Sequence, residues 1–492
     1  MNLFSAEQMR QADEQAVQAG IPLQQLMERA GQAVAEAARR HFPDASHFLI
    51  LCGKGNNGSD GYVAAEFLKQ AGKQVTVLEL SHEVKGEAKE ARVHFLQTGE
   101  AHLLTAQTLE PALQTCDVII DALFGTGLTR ALEGELADFV NTVNQSAKPI
   151  LSVDVPSGVG SDSGHLLGIN IKATRTLQLA GAKVASAFHP AKAAFGSWEV
   201  ADIGIPKTIL ESLSKLELLT NNRIKPWLPK REVTAHKYTV GTVLVIAGSA
   251  RYLGAAELAC RAAYRSGAGL VTLAAEARFN SSWPEIIFEM LDWSNSPLET
   301  LQGISNNRAQ TRVIGPGLGD EAIRFLPDLI RRGNAPTILD AGALLGHTIW
   351  KDAVREHGRC VLTPHYGEAA RLLRVTSADI AEKPLESALE LADTFNAVVV
   401  LKGATSIITA PDKRVCVSTR GHPGMATGGS GDVLAGCLGA FCANATDLFE
   451  QVAATVYLHG MAGEAAAKVY GNGLLASDLI EMFPRVWRGL EG

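Results

Sequence analysis

From Leu23 onward apolar side chains return every three or four positions, at Leu26, Met27, Ala30, Val34 and Ala38, with charged and amide residues between them. That is the period of a helix with one buried face, and Pro22 suits its first turn. A shorter helix precedes it. Ser5 followed three residues later by Gln8 has the form of a capping box and opens a helix to about Gln18. The pattern then changes. His47–Cys52, Gln74–Leu80, Asp117–Leu123 and Pro149–Val155 read as short buried strands, separated by helical stretches around Gly61–Gln70, Val84–Leu96 and Gly134–Asn144. Repeated strand–helix–strand units predict a mostly parallel sheet with helices on both faces, a Rossmann-like α/β domain.

Between Lys207 and Pro229 polar helical sequence runs into Asn221, Asn222, Pro226 and Pro229, a linker composition. Thr242–Ala247 starts a second α/β series, continued by Thr311–Ile314, Pro336–Asp340, Arg359–Leu362 and Ala397–Lys402. Long Ala- and Gly-rich helices follow Gly254 and Gly431. A chain of 492 residues exceeds what one core usually serves, so two domains are expected, residues 1–215 and 225–492.

Composition removes several classes of function. With 46% hydrophobic and 20% charged residues the chain can bury a large core as a soluble protein. A net charge of -7 without a basic stripe argues against a nucleic-acid partner. No apolar run is long enough for a membrane span. Met1 to Gln15 carries Glu7, Arg10, Asp13 and Glu14, so it reads as an amphipathic helix and not a signal peptide. The seven cysteines are scattered and lack a Cys-x-x-Cys pair, which suits reduced, buried thiols and a cytoplasmic location.

The candidate chemistry begins at Gly53-Lys54-Gly55-Asn56-Asn57-Gly58-Ser59-Asp60-Gly61, directly after a strand and opening a helix. Glycines there let the backbone approach a phosphate, and free N–H groups at the helix start attract anions. The dehydrogenase spacing G-x-G-x-x-G is absent, and a tight polar turn is the plainer alternative for the loop alone. Two further post-strand loops follow, Asp121-Ala122-Leu123-Phe124-Gly125-Thr126-Gly127-Leu128-Thr129-Arg130 and Asp154-Val155-Pro156-Ser157-Gly158. In a parallel sheet all three converge at the carboxyl edge, where ligands bind. Asn57, Asp121 and Ser157 offer only oxygen donors, which suits a hard monovalent cation or no metal at all.

These three segments, in this order, resemble the NAD(P)HX epimerase family over about residues 1–215. The resemblance implies binding of hydrated NADH or NADPH by Asn56, Asn57, Gly58, Ser59 and Asp60, by Gly125, Thr126, Gly127, Leu128, Thr129, Arg130 and Ala131, and by Asp154. It also implies potassium at Asn57, Asp121 and Ser157. Ser59 departs from the family's usual Gly and is expected to tune packing. Interconverting the two hydrates requires proton traffic at the hydroxylated ring carbon or its neighbouring nitrogen, and Asp154 is the candidate acid or base. Lys183 could neutralise phosphate or assist catalysis, but the usual exposure of lysines makes a solvated side chain the plainer expectation.

The second series carries Pro423-Gly424-Met425-Ala426-Thr427-Gly428-Gly429-Ser430-Gly431-Asp432, where small residues leave a phosphate-sized space before a helix start. Asp432 could cap that helix. The alternative is a base for a substrate hydroxyl during phosphoryl transfer, and the glycines around it favour that. Lys402-Gly403-Ala404-Thr405-Ser406, Gly315-Pro316-Gly317-Leu318-Gly319 and Thr363-Pro364-His365-Tyr366-Gly367-Glu368 are further post-strand loops. With Gly248–Ala256 they resemble the ADP-dependent NAD(P)HX dehydratase family, of ribokinase-like fold, over about residues 225–492. The resemblance implies nicotinamide-hydrate contacts at Ala255, Gly317, His365 and Asp432, and adenine-nucleotide contacts at Lys402, Gly403, Ala404, Thr405, Ser406 and Gly431, with magnesium accompanying ADP. Tyr366 stands where the family usually has Pro, His422 where it often has Asn, and Ser430 where it usually has Thr.

Together the two resemblances imply a bifunctional repair enzyme. One domain epimerises the R and S hydrates, and the other dehydrates the S form at the expense of ADP, giving AMP and phosphate. A homo-oligomer is implied as well. The alternatives are a small-molecule kinase, or an enzyme whose first domain is only a ligand-sensing or partner-binding module.

Overall fold

A computed structural model describes residues 1–84, 86–277, 283–293, 299, 309–345 and 347–491. The chain divides into two compact units, Met1–Glu217 and Leu218–Gly492.

In the first unit a seven-stranded sheet runs in spatial order Ala101–Leu103, Gln74–Glu79, His47–Cys52, Val118–Ala122, Ile150–Val153, Arg175–Leu179 and Ser197–Ala201. Every pairing in it is parallel. The central strand shows why helices cover both faces. Phe48, Ile50 and Cys52 enter one core with Val34, Ala38 and Leu68 of the helices Leu23–His41 and Asn56–Gln70. Leu49 and Leu51 enter another with Leu109 and Val140 of the helices Ala106–Thr115 and Glu135–Gln145. Alternation along one strand thus feeds two cores.

At the amino terminus Ser5 Oγ accepts from Gln8 N at 3.2 Å, and Gln8 Oε1 accepts from Ser5 N at 2.9 Å, closing the capping box of helix Ala6–Gln18. Pro22 takes the N-cap of the next helix and so stands one place before the first turn. The helix expected over Val84–Leu96 spans Glu87–Phe95, with Lys85 outside the described residues.

The stretch read as a linker is largely ordered. It carries helix Lys207–Leu213, strand Leu216–Leu218 and a short helix Asn221–Ile224, and Ile224 and Trp227 are buried. Its polar residues are the solvent side of small elements whose few apolar residues point inward.

The second unit is built on a sheet ordered Leu216–Leu218, Val415–Ser418, Ser406–Thr409, Val398–Leu401, Cys360–Leu362, Thr337–Leu339, Thr311–Ile314, Thr242–Ile246, Leu270–Ala275 and Ile287–Met290. It is parallel from Val398–Leu401 to Ile287–Met290 and turns antiparallel at Ser406–Thr409 and Val415–Ser418. Helices Leu253–Arg265, Ser430–Phe441, Leu448–Tyr470 and Ala476–Glu491 pack their small residues into one continuous core.

Both sheets have a topological switch point, where successive connections leave in opposite directions. In the first it lies between His47–Cys52 and Val118–Ala122, in the second between Thr242–Ile246 and Thr311–Ile314. In open α/β sheets the crevice beyond such a point binds ligands. Each glycine-rich loop pair sits at one of these two places.

Candidate functional site

At the first switch point the loops after Cys52 and Ala122 touch backbone to backbone. A Cβ on Gly53 would lie 1.8 Å from the carbonyl oxygen of Leu123, and one on Gly58 2.1 Å from that of Gly53. Only glycine permits that approach. Gly53→Ala is therefore expected to push the loops apart, weakening ligand binding at the first site at least tenfold and lowering the first unit's melting temperature. Thermal scans with and without ligand read both effects.

The loops frame a cavity of about 750 Å³ in the first unit. Asn56, Asn57, Asp60, Gly125, Thr126, Gly127, Leu128, Arg130 and Asp154 line it, and Asp13 and Lys183 join them. Gly58 and Ser59 turn inward and are buried, and Ser59 Oγ finds no partner there. Thr129 and Ala131 belong to the same loop but are not among the cavity's lining residues.

Asp121 and Ser157 are fully buried. Asp121 accepts from Ser157 Oγ at 2.6 Å, Ser157 N at 2.9 Å and Ser152 Oγ at 2.8 Å, with Leu123 N at 3.4 Å. The carboxylate thereby ties the second loop to the third. Burial pushes its pKa up, against those hydrogen bonds. Asn57 is buried with its amide nitrogen unpartnered, and its Oδ1 faces Gly125. Asn57 Oδ1, the Asp121 carboxylate and Ser157 Oγ are oxygen donors, the type a hard cation takes.

Lys183 overturns its expected place in solvent. It is 1% exposed, pairs with Asp154 Oδ1, and donates to the carbonyl oxygens of Leu179 at 2.7 Å and Gly181 at 2.9 Å. All three ammonium donors are engaged. A lone lysine is usually solvated, but here a carboxylate and two carbonyls compensate its desolvation. Asp154 sits at φ 66°, a left-handed conformation that is uncommon for residues other than glycine. Its Oδ1 also accepts from Leu179 N at 2.9 Å, while Oδ2 accepts nothing from the described residues. A strained residue holding a free carboxylate oxygen at a cavity is a mark of function.

Two more acids stand there. Burial pushes Asp60 well above the carboxylate range, reinforced by the charges of Asp154 and Asp13. Asp13 is pushed up to about 6, chiefly by burial, with Lys183 opposing and Asp154 adding to the shift. Asp13 stands outside every motif of the sequence, yet it follows Met9 and Ala12 on the buried side of its helix.

In the second unit five loops meet in sequence. Gly248 N donates to Pro316 O at 2.8 Å, and a Cβ on Gly317 would lie 3.0 Å from that of Ala255. Asp340 accepts from Thr363 Oγ1 at 2.7 Å and from Lys402 Nζ at 2.7 Å, and Lys402 stands 3.9 Å from Glu368. A Cβ on Gly431 would sit 3.4 Å from Lys402 Nζ. Ala404, Thr405 and Ser406 continue the Lys402 loop into the antiparallel edge, with Thr405 buried. Tyr366 packs on Gly403, its hydroxyl 3.3 Å from where a Cβ would stand.

His365 caps the helix Tyr366–Leu373. Its Nδ1 accepts from Gly367 N at 3.0 Å and Glu368 N at 3.3 Å, while Nε2 stands 3.6 Å from Glu368 Oε1. Asp340 and Glu368 were given no role from sequence. Asp340 closes a predicted strand, so its place at the carboxyl edge was legible.

Asp432 stands in the first turn of helix Ser430–Phe441, whose N-cap is Gly429 at φ 94° with no side-chain cap. Its carboxylate is not a cap. Burial pushes its pKa to about 6, Asp340 adding to the shift and Lys402 opposing it. Behind it His459 Nε2 lies 3.1 Å from Ser430 O, and burial lowers that histidine's pKa to about 4.

Both halves of the chain match known proteins, in order along the sequence. A family model described as YjeF-related protein N-terminus covers residues 23–185, and one described as NAD(P)H-hydrate dehydratase covers residues 243–485. The bifunctional NAD(P)H-hydrate repair enzyme Nnr of Moorella thermoacetica is 37% identical, spanning 100% of this chain and 97% of its own. That of Thermofilum pendens is 34% identical over 100% of this chain and 97% of its own. A crystal structure of a ribokinase-like superfamily protein from Enterococcus faecalis aligns with 56% of this chain and 98% of its own, at 25% identity and a TM-score of 0.50. The chain belongs to the bifunctional NAD(P)H-hydrate repair enzymes, with an epimerase domain followed by a dehydratase domain.

Proposed function

We propose that the first unit epimerises the R and S hydrates of NADH and NADPH at the cavity holding Asp154. The second unit, in this reading, dehydrates the S epimer at the expense of ADP, giving AMP and phosphate. The observation that carries the proposal is the free Oδ2 of Asp154 in a cavity lined by three loops at a switch point. Asn56 to Asp60 and Gly125 to Ala131 supply backbone and side-chain donors for a pyrophosphate, and Asp154 removes the proton of the substrate hydroxyl. Asn57, Asp121 and Ser157 would hold potassium, which supplies positive charge beneath the phosphate loops. Asn57 Oδ1, the Asp121 carboxylate and Ser157 Oγ are the hard oxygen ligands such an ion takes.

In the second unit Asp432 takes the proton from the S hydrate's hydroxyl as that oxygen attacks the terminal phosphorus of ADP and AMP departs. Lys402 to Ser406 and Gly431 receive the nucleotide, while Ala255, Gly317 and His365 receive the nicotinamide hydrate. Phosphate is a far better leaving group than hydroxide. The ring nitrogen's lone pair expels it, and loss of a proton from the adjacent carbon restores the dihydropyridine. Magnesium accompanies ADP, held chiefly by phosphate oxygens and waters. The acidic surroundings of Lys402, with Asp340, Glu368 and Asp432, tolerate that cation.

Seven free, buried thiols support a reducing, cytoplasmic setting. Among the described residues no helix is long and apolar enough to cross a membrane. Exposed Val469, Tyr470 and Leu475 support assembly into a homo-oligomer, which light scattering reads.

A mixture of both NADHX epimers incubated with ADP is expected to return completely to NADH, followed by absorbance, with AMP and phosphate formed in equal amounts. Recovery of the S fraction alone would remove the epimerase. A stable phosphorylated alcohol without NADH would indicate a kinase.

A further inference from the structure

We propose that Asp13, on the amino-terminal helix, is the catalytic acid of epimerisation and gives its proton to the substrate's ring nitrogen. The inference rests on the reading of Asp154 as base. A hydrate of this kind is a cyclic hemiaminal, and inverting its hydroxylated carbon requires one bond at that carbon to break and reform. When the carboxylate of Asp154 takes the hydroxyl proton, the carbon–oxygen bond becomes a carbonyl and the bond from carbon to ring nitrogen breaks. Its electron pair goes to nitrogen, which needs a proton at that moment. Rotation of the open aldehyde and reversal of both transfers then closes the other epimer: the nitrogen attacks the carbonyl carbon and hands its proton back to Asp13, while the new alkoxide takes its proton from Asp154, which becomes a carboxylate again. One carboxylate cannot take and give at once. A second acid must face the same cavity.

Asp13 meets that need by position. It lines the cavity with Asp60, Asp154 and Lys183. It lies on the side of helix Ala6–Gln18 that also presents the buried Met9, Ala12 and Ala16, and its carboxylate makes no hydrogen bond with the described residues. The nearest arginine along the helix, Arg10, is taken by Glu7 and Glu14, at 2.6 Å and 2.5 Å. The charged groups acting on Asp13 are Lys183, Asp154 and Glu14. With a pKa near 6 it carries a proton in a useful fraction of molecules near neutrality and parts with it readily. Asp60, held protonated more firmly, is the competing donor. Asp13 also lies before the segment that the first family model covers, residues 23–185.

The test uses the full chain, so that S-specific dehydration reports on folding within each sample. With both epimers and ADP, Asp13→Asn is expected to keep the fast S phase unchanged. Its R phase should slow at least a hundredfold in kcat, with KM within threefold of the parent. In the parent, kcat/KM for the R epimer should fall as pH rises through about 6, as Asp13 loses its proton. The residual rate of Asp13→Asn should lack that limb, and Asp13→Glu should recover part of the rate. Because the acid's raised pKa withdraws stability as pH rises through it, Asp13→Asn should melt no lower than the parent at pH 8. A merely structural aspartate would lower the melting point instead. An R phase within threefold of the parent, or a pH limb abolished by Asp60→Asn and kept by Asp13→Asn, overturns the proposal. A parent without any R phase would instead overturn the epimerase reading itself.

Discussion

Asp432→Asn should leave a folded protein that binds adenine nucleotide with the parent's affinity and has lost dehydration by about 10²–10⁴-fold, the range for removal of a general base. The side chain is not the cap of its helix, so the amide removes no cap hydrogen bond. What it removes is a proton acceptor facing Lys402 and Asp340 at the point where five loops meet. The sign of the pH dependence follows from the raised pKa. A base works only when ionised, so kcat/KM for the S hydrate should climb as pH rises through about 6 and level above it. The same shift withdraws stability as pH rises through that value. Asp432→Asn should consequently melt no lower than the parent at pH 8. Stopped assays of NADH formation, with calorimetric titration of the nucleotide, separate binding from chemistry. Turnover within threefold of the parent would take Asp432 out of the base role.

The frame of both units was legible because it is written in short-range pattern. A strand buried on both faces is a short apolar run, and a loop that must touch another backbone has to be glycine, as Gly53 shows. The three loops of the first site and those at Gly248, Gly315, Thr363 and Lys402 in the second follow from strand ends alone, since a parallel sheet sends those ends to one edge, whereas Pro423–Asp432 stands out by its glycines. What escaped the reading depends on long-range geometry. Ser406–Thr409 and Val415–Ser418 form an antiparallel edge whose residues differ little from loop sequence until a partner strand is given. The usual exposure of lysines points Lys183 to solvent, and nothing beside it in sequence announces a carboxylate. Its partner stands 29 residues earlier. Asp13 is the same problem in another form, one acid among several on an amphipathic helix until the cavity shows which way it faces.

The two units also share a physical plan. Each places a carboxylate with a raised pKa within the influence of a buried or half-buried lysine, Asp13 and Asp60 around Lys183 and Asp432 beside Lys402. In both, desolvation moves acids toward neutrality while the lysine balances the charge that remains. Such sites are stable only as sets. Removing the cation should therefore be more harmful than removing an acid.

Lys183→Met puts that to the test. The parent buries one ammonium among Asp154, Asp60 and Asp13, and the ammonium also satisfies two carbonyl oxygens. Taking away one member of a buried ion pair leaves an uncompensated charge, at a typical loss of about 3–5 kcal/mol. Urea denaturation of Lys183→Met should show that loss in the first unit, with faster amide exchange in Arg175–Leu179, the strand whose end accepts from the lysine. Epimerisation should vanish with it. The double variant Lys183→Met with Asp154→Asn should regain part of the stability, because the carboxylate paired with the lysine no longer carries charge, yet stay inactive for want of the base. Acid should also relieve the single variant. Asp13, no longer opposed by Lys183, takes up its proton at higher pH than in the parent and the crowding of negative charge lessens as pH falls, so the deficit against the parent should be largest at pH 8 and narrow toward pH 5. A single variant as stable as the parent, or a double variant no better than the single, would mean that Lys183 does not balance these acids.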